Sequence, residues 1–452
     1  MKAKKNIGSL IVVIVLAIVY LVQIIVPNKF NKPERVIAYD VISYYSYLPA
    51  LFIEKDIKLS FWKNEDPYKK RYWPITTSDG DFMIKTTCGL SIMYSPFFAV
   101  AHLLAEPLGY EPNGFTLPYT FALLFSGVFF VILGMMVLRK FLLRHFSDMV
   151  TLITLAIIGL CSPLYWYATL ESAMSHSYSF FLFSVFLYLT ELWYAEQKWK
   201  YVFAIGVVAG MISLVRPSNL LVVLVFLLYG ITSFKHIRER LLMFLHDYKK
   251  YLVMVILVIM VWIPQFIYWK VVTGHIVYYS YSDEGFYWLD PKIIECLFGF
   301  RKGLFLYSPI LLCILPGIWF LRKKCSQYFI PIIIFSILNL YVISSWWCWW
   351  YGGGYSMRPM VESFALMAIP LAAFFEWFFS RRKVLKIVVT PVLCLMIFFS
   401  SFHIIQYYHE VIHYDSMSSK AYFNSFLNLN RSEEYWNLLD SPDYGEARKG
   451  NR

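Results

Sequence analysis

Apolar runs of bilayer length recur along this chain from its first residues almost to its last. They lie near 7–26, 117–138, 149–168, 176–195, 200–216, 218–234, 251–272, 303–321, 327–345, 359–379 and 384–403. A helix gains about 1.5 Å per residue, so roughly 20 apolar residues cross a hydrocarbon layer about 30 Å thick. No water is available there to bond free amides, so each run must close its own hydrogen bonds as a helix. The fold class that follows is all-α: a polytopic bundle of about eleven transmembrane helices. Composition agrees, with 59% hydrophobic and only 15% charged residues, more apolar surface than a soluble core requires. The first run follows Met-Lys-Ala-Lys-Lys without a small-residue cleavage site after it, and reads as a retained helix.

The net charge of +12 raises the question of nucleic acid, and its placement answers it. About half of the lysines and arginines fall in six segments on one side of the expected topology. They are Lys2, Lys4 and Lys5; Arg139, Lys140 and Arg144; Lys198 and Lys200; Lys235, Arg238, Arg240, Lys249 and Lys250; Arg322, Lys323 and Lys324; and Arg381, Arg382, Lys383 and Lys386. This is the positive-inside bias, which puts those segments and the N-terminus in the cytoplasm and the C-terminus outside. The parity depends on a break at Arg216-Pro217-Ser218-Asn219, where proline removes a backbone donor. The cysteines form no metal-ligand spacing and no disulfide framework.

The membrane domain is expected over 1–403, with a long first outer loop over 28–116, and a small outer tail over 404–452. Within the first loop, Tyr44, Tyr47, Leu48, Leu51 and Phe52 repeat at helical spacing, which predicts an amphipathic helix with its apolar face on the membrane surface. Tyr45 lies within it and Asp40 stands at its start.

The same parity gathers Asp40, Lys85, Glu171, His176, Arg216, the Asp283-Glu284 pair, Arg301 and Arg358 at the outer face. Ionisable groups at helix ends in a membrane are costly, and are paired or functional. Several cations with a few acids above interfacial aromatics suit an amphipathic anion such as a lipid phosphate. Each residue has a plainer role as well. Asp40 serves equally as a helix cap, Lys85 as a snorkelling cation, His176 as an interfacial histidine and Arg216 as a brace at a helix junction. The Asp283-Glu284 pair reads as solvated surface. A further stretch, Ser344-Ser-Trp-Trp-Cys-Trp-Trp350-Tyr-Gly-Gly-Gly-Tyr355-Ser-Met-Arg358-Pro359, sets interfacial aromatics beside three glycines and one arginine. No Walker loop, dinucleotide glycine pattern or metal-ligating cluster is present in the sequence.

In order along the chain, Tyr39-Asp40, Lys85…Gly89…Pro96-Phe97-Phe98, Ser175-His176, Val215-Arg216-Pro217-Ser218-Asn219, Leu297-Phe-Gly-Phe-Arg301-Lys302-Gly-Leu-Phe305, and Trp346…Trp350-Tyr-Gly-Gly-Gly-Tyr355-Ser-Met-Arg358-Pro359 resemble the GT-C superfamily of integral-membrane glycosyltransferases. The likeness is to its bacterial branch, akin to protein O-mannosyltransferases and the lipid A aminoarabinose transferase.

The resemblance implies an inverting transferase that takes a sugar from a polyprenyl-phosphate carrier at the outer face of a bacterial cytoplasmic membrane. It implies Asp40 as the catalytic base, and Lys85, Arg216, Arg301 and Arg358 as holders of the carrier phosphate. Tyr44, Tyr45, Glu171, His176, Trp350 and Tyr355 complete the expected substrate pocket. The expected partners are the lipid-linked sugar donor, membrane lipids, and an acceptor that is a glycan, a lipid or a protein. No cofactor and no metal is expected, and Val41 follows Asp40 where many relatives carry a second acid.

A transporter or flippase of lipid-linked saccharides would need similar groups. Such proteins place ionisable residues and broken helices near the bilayer midplane in repeated halves, whereas here the polar groups gather at one face and no repeat is visible. A non-catalytic scaffold in envelope assembly is the third reading.

Overall fold

In the computed structural model of the chain, residues 6–63, 71–77 and 79–452 are described. The N-terminal Lys2, Lys4 and Lys5 of the basic bias lie outside these residues. Helices form where the apolar runs stand, and the protein is a helical polytopic membrane protein. Among the described residues, six helical segments are long and apolar enough to cross a membrane: Ile7–Asn31, Leu117–Leu142, Ser175–Glu196, Tyr248–Thr273, Ser326–Ser345 and Lys383–Tyr408. The other expected spans fall on shorter pieces, among them Asp148–Leu160, Trp199–Val215, Pro217–Leu228 and Phe364–Phe379.

The shortening has local causes. The run 149–168 stops at Leu160 and resumes at Leu164 after Ser162-Pro163. The run 303–321 is split into Leu304–Tyr307, a 3-10 turn over Pro309–Cys313 and the helix Ile314–Lys324. At the expected corner, the helix Trp199–Val215 ends on an extended Arg216, and Pro217 opens a 3-10 turn leading into Val223–Leu228. Proline lacks the amide that would continue a helix, so each break carries one.

The helix Phe364–Phe379 is buried along nearly its whole length and forms the central post of the bundle. It packs on Ile314–Lys324, Asp148–Leu160 and Ser175–Glu196. At the periphery, Tyr248–Thr273 and Lys383–Tyr408 expose Ile259, Ile263 and Ile267, and Ile387, Val392 and Leu395. Exposed rows of that kind are stable only against lipid, where no water must order around them. At the end of the bundle opposite to Asp40, buried Glu191 is bonded by Arg144, by His145 at 2.7 Å and by Tyr328 at 2.9 Å. A buried carboxylate costs several kcal/mol unless so paired, and here the pairing ties three helices together.

The first loop folds against the bundle. The expected amphipathic helix is two short ones, Asp40–Tyr45 and Tyr47–Phe52. Only Leu51 and Phe52 of its periodic residues remain exposed, at 52% and 57%. Tyr44, Tyr47 and Leu48 are buried in protein instead. The reason is that the chain wraps both faces: Tyr45 donates to the Gly114 carbonyl and Tyr47 to that of Thr86, each at 2.6 Å.

A helix over Gly89–Ala105 follows, with Pro96 inside it. A side chain at Gly89 would meet the Leu214 carbonyl at 2.5 Å, so glycine lets this helix start directly against the end of Trp199–Val215. A two-stranded hairpin, Ile75–Thr76 with Phe82–Met83, precedes it. The tail is fastened to the loops at the Asp40 end of the bundle. Arg301 reaches Asp440, Tyr287 donates to the Arg448 carbonyl, and Arg452 donates to the Trp346 carbonyl at 2.7 Å.

Candidate active site

Asp40 is set in place by a strained turn. Tyr39 before it adopts φ 49° and ψ −127°, a conformation that side chains with a Cβ avoid. Such backbone costs about 1–3 kcal/mol and persists only where surrounding structure enforces it. Tyr39 caps the helix without a side-chain bond, and Asp40 is the helix's first residue. Its Oδ2 lies 2.9 Å from Nη2 of Arg358.

Arg358 opens a 3-10 turn, Arg358–Met360, at the end of the glycine loop. Tyr351, Gly352, Gly354 and Ser356 in that loop all have positive φ. Gly354, at φ 153°, has no room for a side chain, because a Cβ would stand 2.7 Å from Oη of Tyr167. The loop is thereby wound tightly enough to turn Arg358 back toward the first loop.

Asp40 keeps 47% of its side-chain exposure and Arg358 only 15%. Protein nonetheless surrounds the carboxylate closely, so it faces an open recess rather than a convex surface. Burial works to raise its pKa, but the Arg358 guanidinium, with smaller help from Arg216 and His176, outweighs burial and holds the carboxyl below its ordinary value. Asp40 is therefore ionised at neutral pH.

Arg216 and His176 belong to a second, deeper cluster. Arg216 donates to Oε1 of Glu362 at 2.9 Å, and Nδ1 of His176 stands 3.2 Å from Oε2 of the same carboxylate. His176 and Glu362 are each 2% exposed. Glu362 lies in the turn just before the central helix Phe364–Phe379, so the cluster joins that post to the Arg216 corner and to the start of Ser175–Glu196. Tyr44 lies within electrostatic reach of Asp40, Arg216 and Arg358.

Lys85 stands at the edge of this group. Its ammonium is bonded to Glu284 at 2.5 Å and sits 4.9 Å from the ring centre of Tyr281, a ring within electrostatic reach of Asp40 and Arg216. Glu284 is only 11% exposed and also meets Arg448 at 3.7 Å, so of the expected surface pair only Asp283 is well solvated.

The remaining expected residues separate. Glu171 lies within electrostatic reach of Arg358, Lys29 and Lys302. Arg301 turns away, held by Asp440 at 2.9 Å and stacked over Trp350. Trp350 in turn packs against Tyr444 of the tail. Tyr45 is buried among Tyr94, Phe98 and Phe115, and the buried Tyr355 accepts from Tyr167 through its carbonyl. These side chains shape the wall behind the recess rather than its surface.

Three contributors were not singled out in the sequence. Tyr39 supplies the strained turn, Glu362 anchors Arg216 and His176, and Lys302 fastens the glycine loop. Glu362 carried a usable signal, as a lone carboxylate entering an apolar run. Lys302 is 1% exposed and donates to the carbonyls of Gly354 and Tyr414. Burial, with Arg358 adding to it, pulls its ammonium down to about 7. A neutral amine has two hydrogens, and two carbonyls are there to accept them. Among the described residues no group of three His, Cys, Asp or Glu side chains is arranged to hold a metal ion.

No family model matches the chain, and no curated protein matches it. Solved structures to which it is similar at low identity include two from one archaeon. One is the archaeal oligosaccharyltransferase AglB from Archaeoglobus fulgidus in complex with an inhibitory peptide and a dolichol-phosphate, at 11% identity and a TM-score of 0.49 over 97% of this chain. The other is the Archaeoglobus fulgidus oligosaccharyltransferase in complex with zinc and sulfate, at 13% identity and a TM-score of 0.43 over 94% of this chain. The chain spans 61% and 57% of the length of those two proteins.

Proposed function

We propose that the protein is an inverting glycosyltransferase of the GT-C type, moving a sugar from a polyprenyl-phosphate carrier to an acceptor at the outer face of a bacterial cytoplasmic membrane. The observation that carries this reading is the ion pair between Asp40 and Arg358 in an open recess beside a buried basic cluster. An ionised carboxylate next to a rigid guanidinium is the minimum set for the chemistry. The carboxylate takes a proton, and the cation takes a phosphate.

The acceptor hydroxyl oxygen attacks the anomeric carbon from the side opposite the phosphate, and its proton passes to an Asp40 oxygen. The bond from the anomeric carbon to the phosphate oxygen breaks, and the pair of electrons leaves on the carrier phosphate. Negative charge grows on that phosphate, so a preorganised cation there lowers the barrier. Arg358 serves this role, with Arg216 behind it and Lys85 at the rim.

The pairing of Arg358 with Asp40 also orders events. While the guanidinium is given wholly to Asp40, the carboxylate is a weak base. A carrier phosphate that draws Arg358 toward itself removes part of that stabilisation and makes Asp40 more basic as the donor arrives. Glu362 stays paired with Arg216 while this exchange takes place.

Mass spectrometry of outer-surface glycans and glycolipids from cells with and without the gene tests the reading. Loss of a single sugar supports transfer and names both donor and acceptor. Accumulation of a complete lipid-linked oligosaccharide on the inside contradicts it and favours a flippase.

A further inference from the structure

A second opening lies beside the Asp40 recess and has no part in the chemistry above. It is a cavity of about 480 Å³ between the segment after the first helix, the short helix Leu164–Ala168 and the tail. Lys29, Lys32, Arg35 and Arg431 line it against a single carboxylate, Glu410. Arg431 is already bonded to Glu410 at 2.6 Å, and Lys29 donates to the Leu170 carbonyl at 2.7 Å. Lys32 and Arg35 are exposed and, among the described residues, face no carboxylate at bonding distance. The cavity therefore keeps an uncompensated positive charge. Its size is that of a small-ligand site.

Its other wall is aromatic. Trp166 and Tyr407 meet edge to face with ring centres 4.5 Å apart. Tyr414 and Trp436 also line it, with Arg431 stacked over Trp436. Flat rings of this kind accept the C–H faces of sugars, and Arg and Lys accept phosphate or carboxylate oxygens. The lining comes largely from helix ends and loops, above the exposed apolar rows that face lipid. A polar, ring-shaped, negatively charged occupant satisfies both walls, whereas an acyl chain leaves the cations unpaired.

The cavity and the recess share a partition. Trp166 faces the cavity while its neighbour Tyr167 bonds the Tyr355 carbonyl and abuts Gly354. Tyr414 lines the cavity, accepts from the Gly354 amide at 3.2 Å, and lies within electrostatic reach of Tyr39, the residue before Asp40. We propose that this cavity binds an anionic saccharide, bearing phosphate or carboxylate, as the part of the acceptor that positions its hydroxyl at Asp40. The assignment of an acceptor role rests on the reading of Asp40 as the base; the binding chemistry does not.

Binding to the full chain in nanodiscs of neutral lipid tests this apart from catalysis. The probes are an oligosaccharide carrying mannose 6-phosphate, the same oligosaccharide after phosphatase treatment, and phosphatidylglycerol. The phosphorylated sugar is expected to bind about ten-fold more tightly than the dephosphorylated one, as hydrogen bonds to charged groups predict. The double variant Lys32→Glu/Arg35→Glu is expected to lose that preference, and Trp436→Ala to weaken both sugars.

Equal binding of the two sugars, a preference that survives the double variant, or binding of phosphatidylglycerol alone overturns the proposal. Charge-selective binding in a protein that transfers no sugar upholds the cavity and overturns the transferase reading. Sugar transfer without charge-selective binding does the reverse.

Discussion

Arg358 holds Asp40 at 2.9 Å, joining the strained turn of the first loop to the glycine loop that follows the helix Ser326–Ser345. The guanidinium is the strongest influence keeping the carboxyl below its ordinary range. Replacing it by a neutral side chain lets the Asp40 pKa rise. In Arg358→Gln the acid limb of the pH–rate profile should move to higher pH, and the rate at neutral pH should fall by about 10²–10³, as for loss of one preorganised donor. A profile with an unmoved acid limb would show that Asp40 does not titrate in the rate-limiting step.

The Arg216–Glu362–His176 cluster makes a stability prediction. Removing one partner of a buried pair leaves an uncompensated charge and costs about 3–5 kcal/mol. Arg216→Met, which leaves the 2% exposed Glu362 carboxylate behind, should therefore lower the thermal midpoint in detergent sharply, with Glu362→Gln somewhat less severe because the Arg216 it leaves behind keeps 18% exposure. The double variant Arg216→Met/Glu362→Met should lose less than the sum of its single variants. Strict additivity would mean the two side chains do not support one another.

Gly354 offers a steric test. Alanine there places a methyl 2.7 Å from Oη of Tyr167 and holds φ at 153°. Gly354→Ala should lower both transfer rate and thermal stability, by about 1–3 kcal/mol in the latter. Adding Tyr167→Phe removes the contact but not the backbone strain, so it should restore part of the loss. Wild-type behaviour of Gly354→Ala would contradict the wound loop described here.

Lys302 predicts a rise of stability with pH. Its folded-state pKa is near 7, while an unfolded lysine titrates at about 10.4. Between those values the unfolded chain binds more protons than the folded one, so stability increases as pH rises through that window. Lys302→Met should flatten this part of the profile. Unfolding midpoints of both proteins from pH 6 to 10, compared in one detergent, check the slope.

The helical bundle was legible because apolar length alone dictates helices in a membrane, and Pro217 marked a real break, whereas the break at Pro163 inside the run 149–168 went unread. Asp40, His176, Arg216 and Arg358 were legible as ionisable groups at one face, and the fold gathers them there. The adjacent Arg301 and Lys302 show where such reading stops. Both are cations in one short turn, and only packing decides that Arg301 reaches the tail while Lys302 turns inward. The Tyr44 stripe misleads for a related reason. Its spacing describes one apolar face, but segments distant in the chain cover both.

The most direct test of the central claim is sugar transfer by purified Asp40→Asn in proteoliposomes supplied with a polyprenyl-phosphate sugar. The substitution keeps the shape of the side chain and removes its charge and its capacity to take a proton. A folded, inserted variant that binds the carrier but transfers sugar about 10²–10⁴ times more slowly is the result expected of a lost general base. Transfer at the wild-type rate by that same protein would contradict the account.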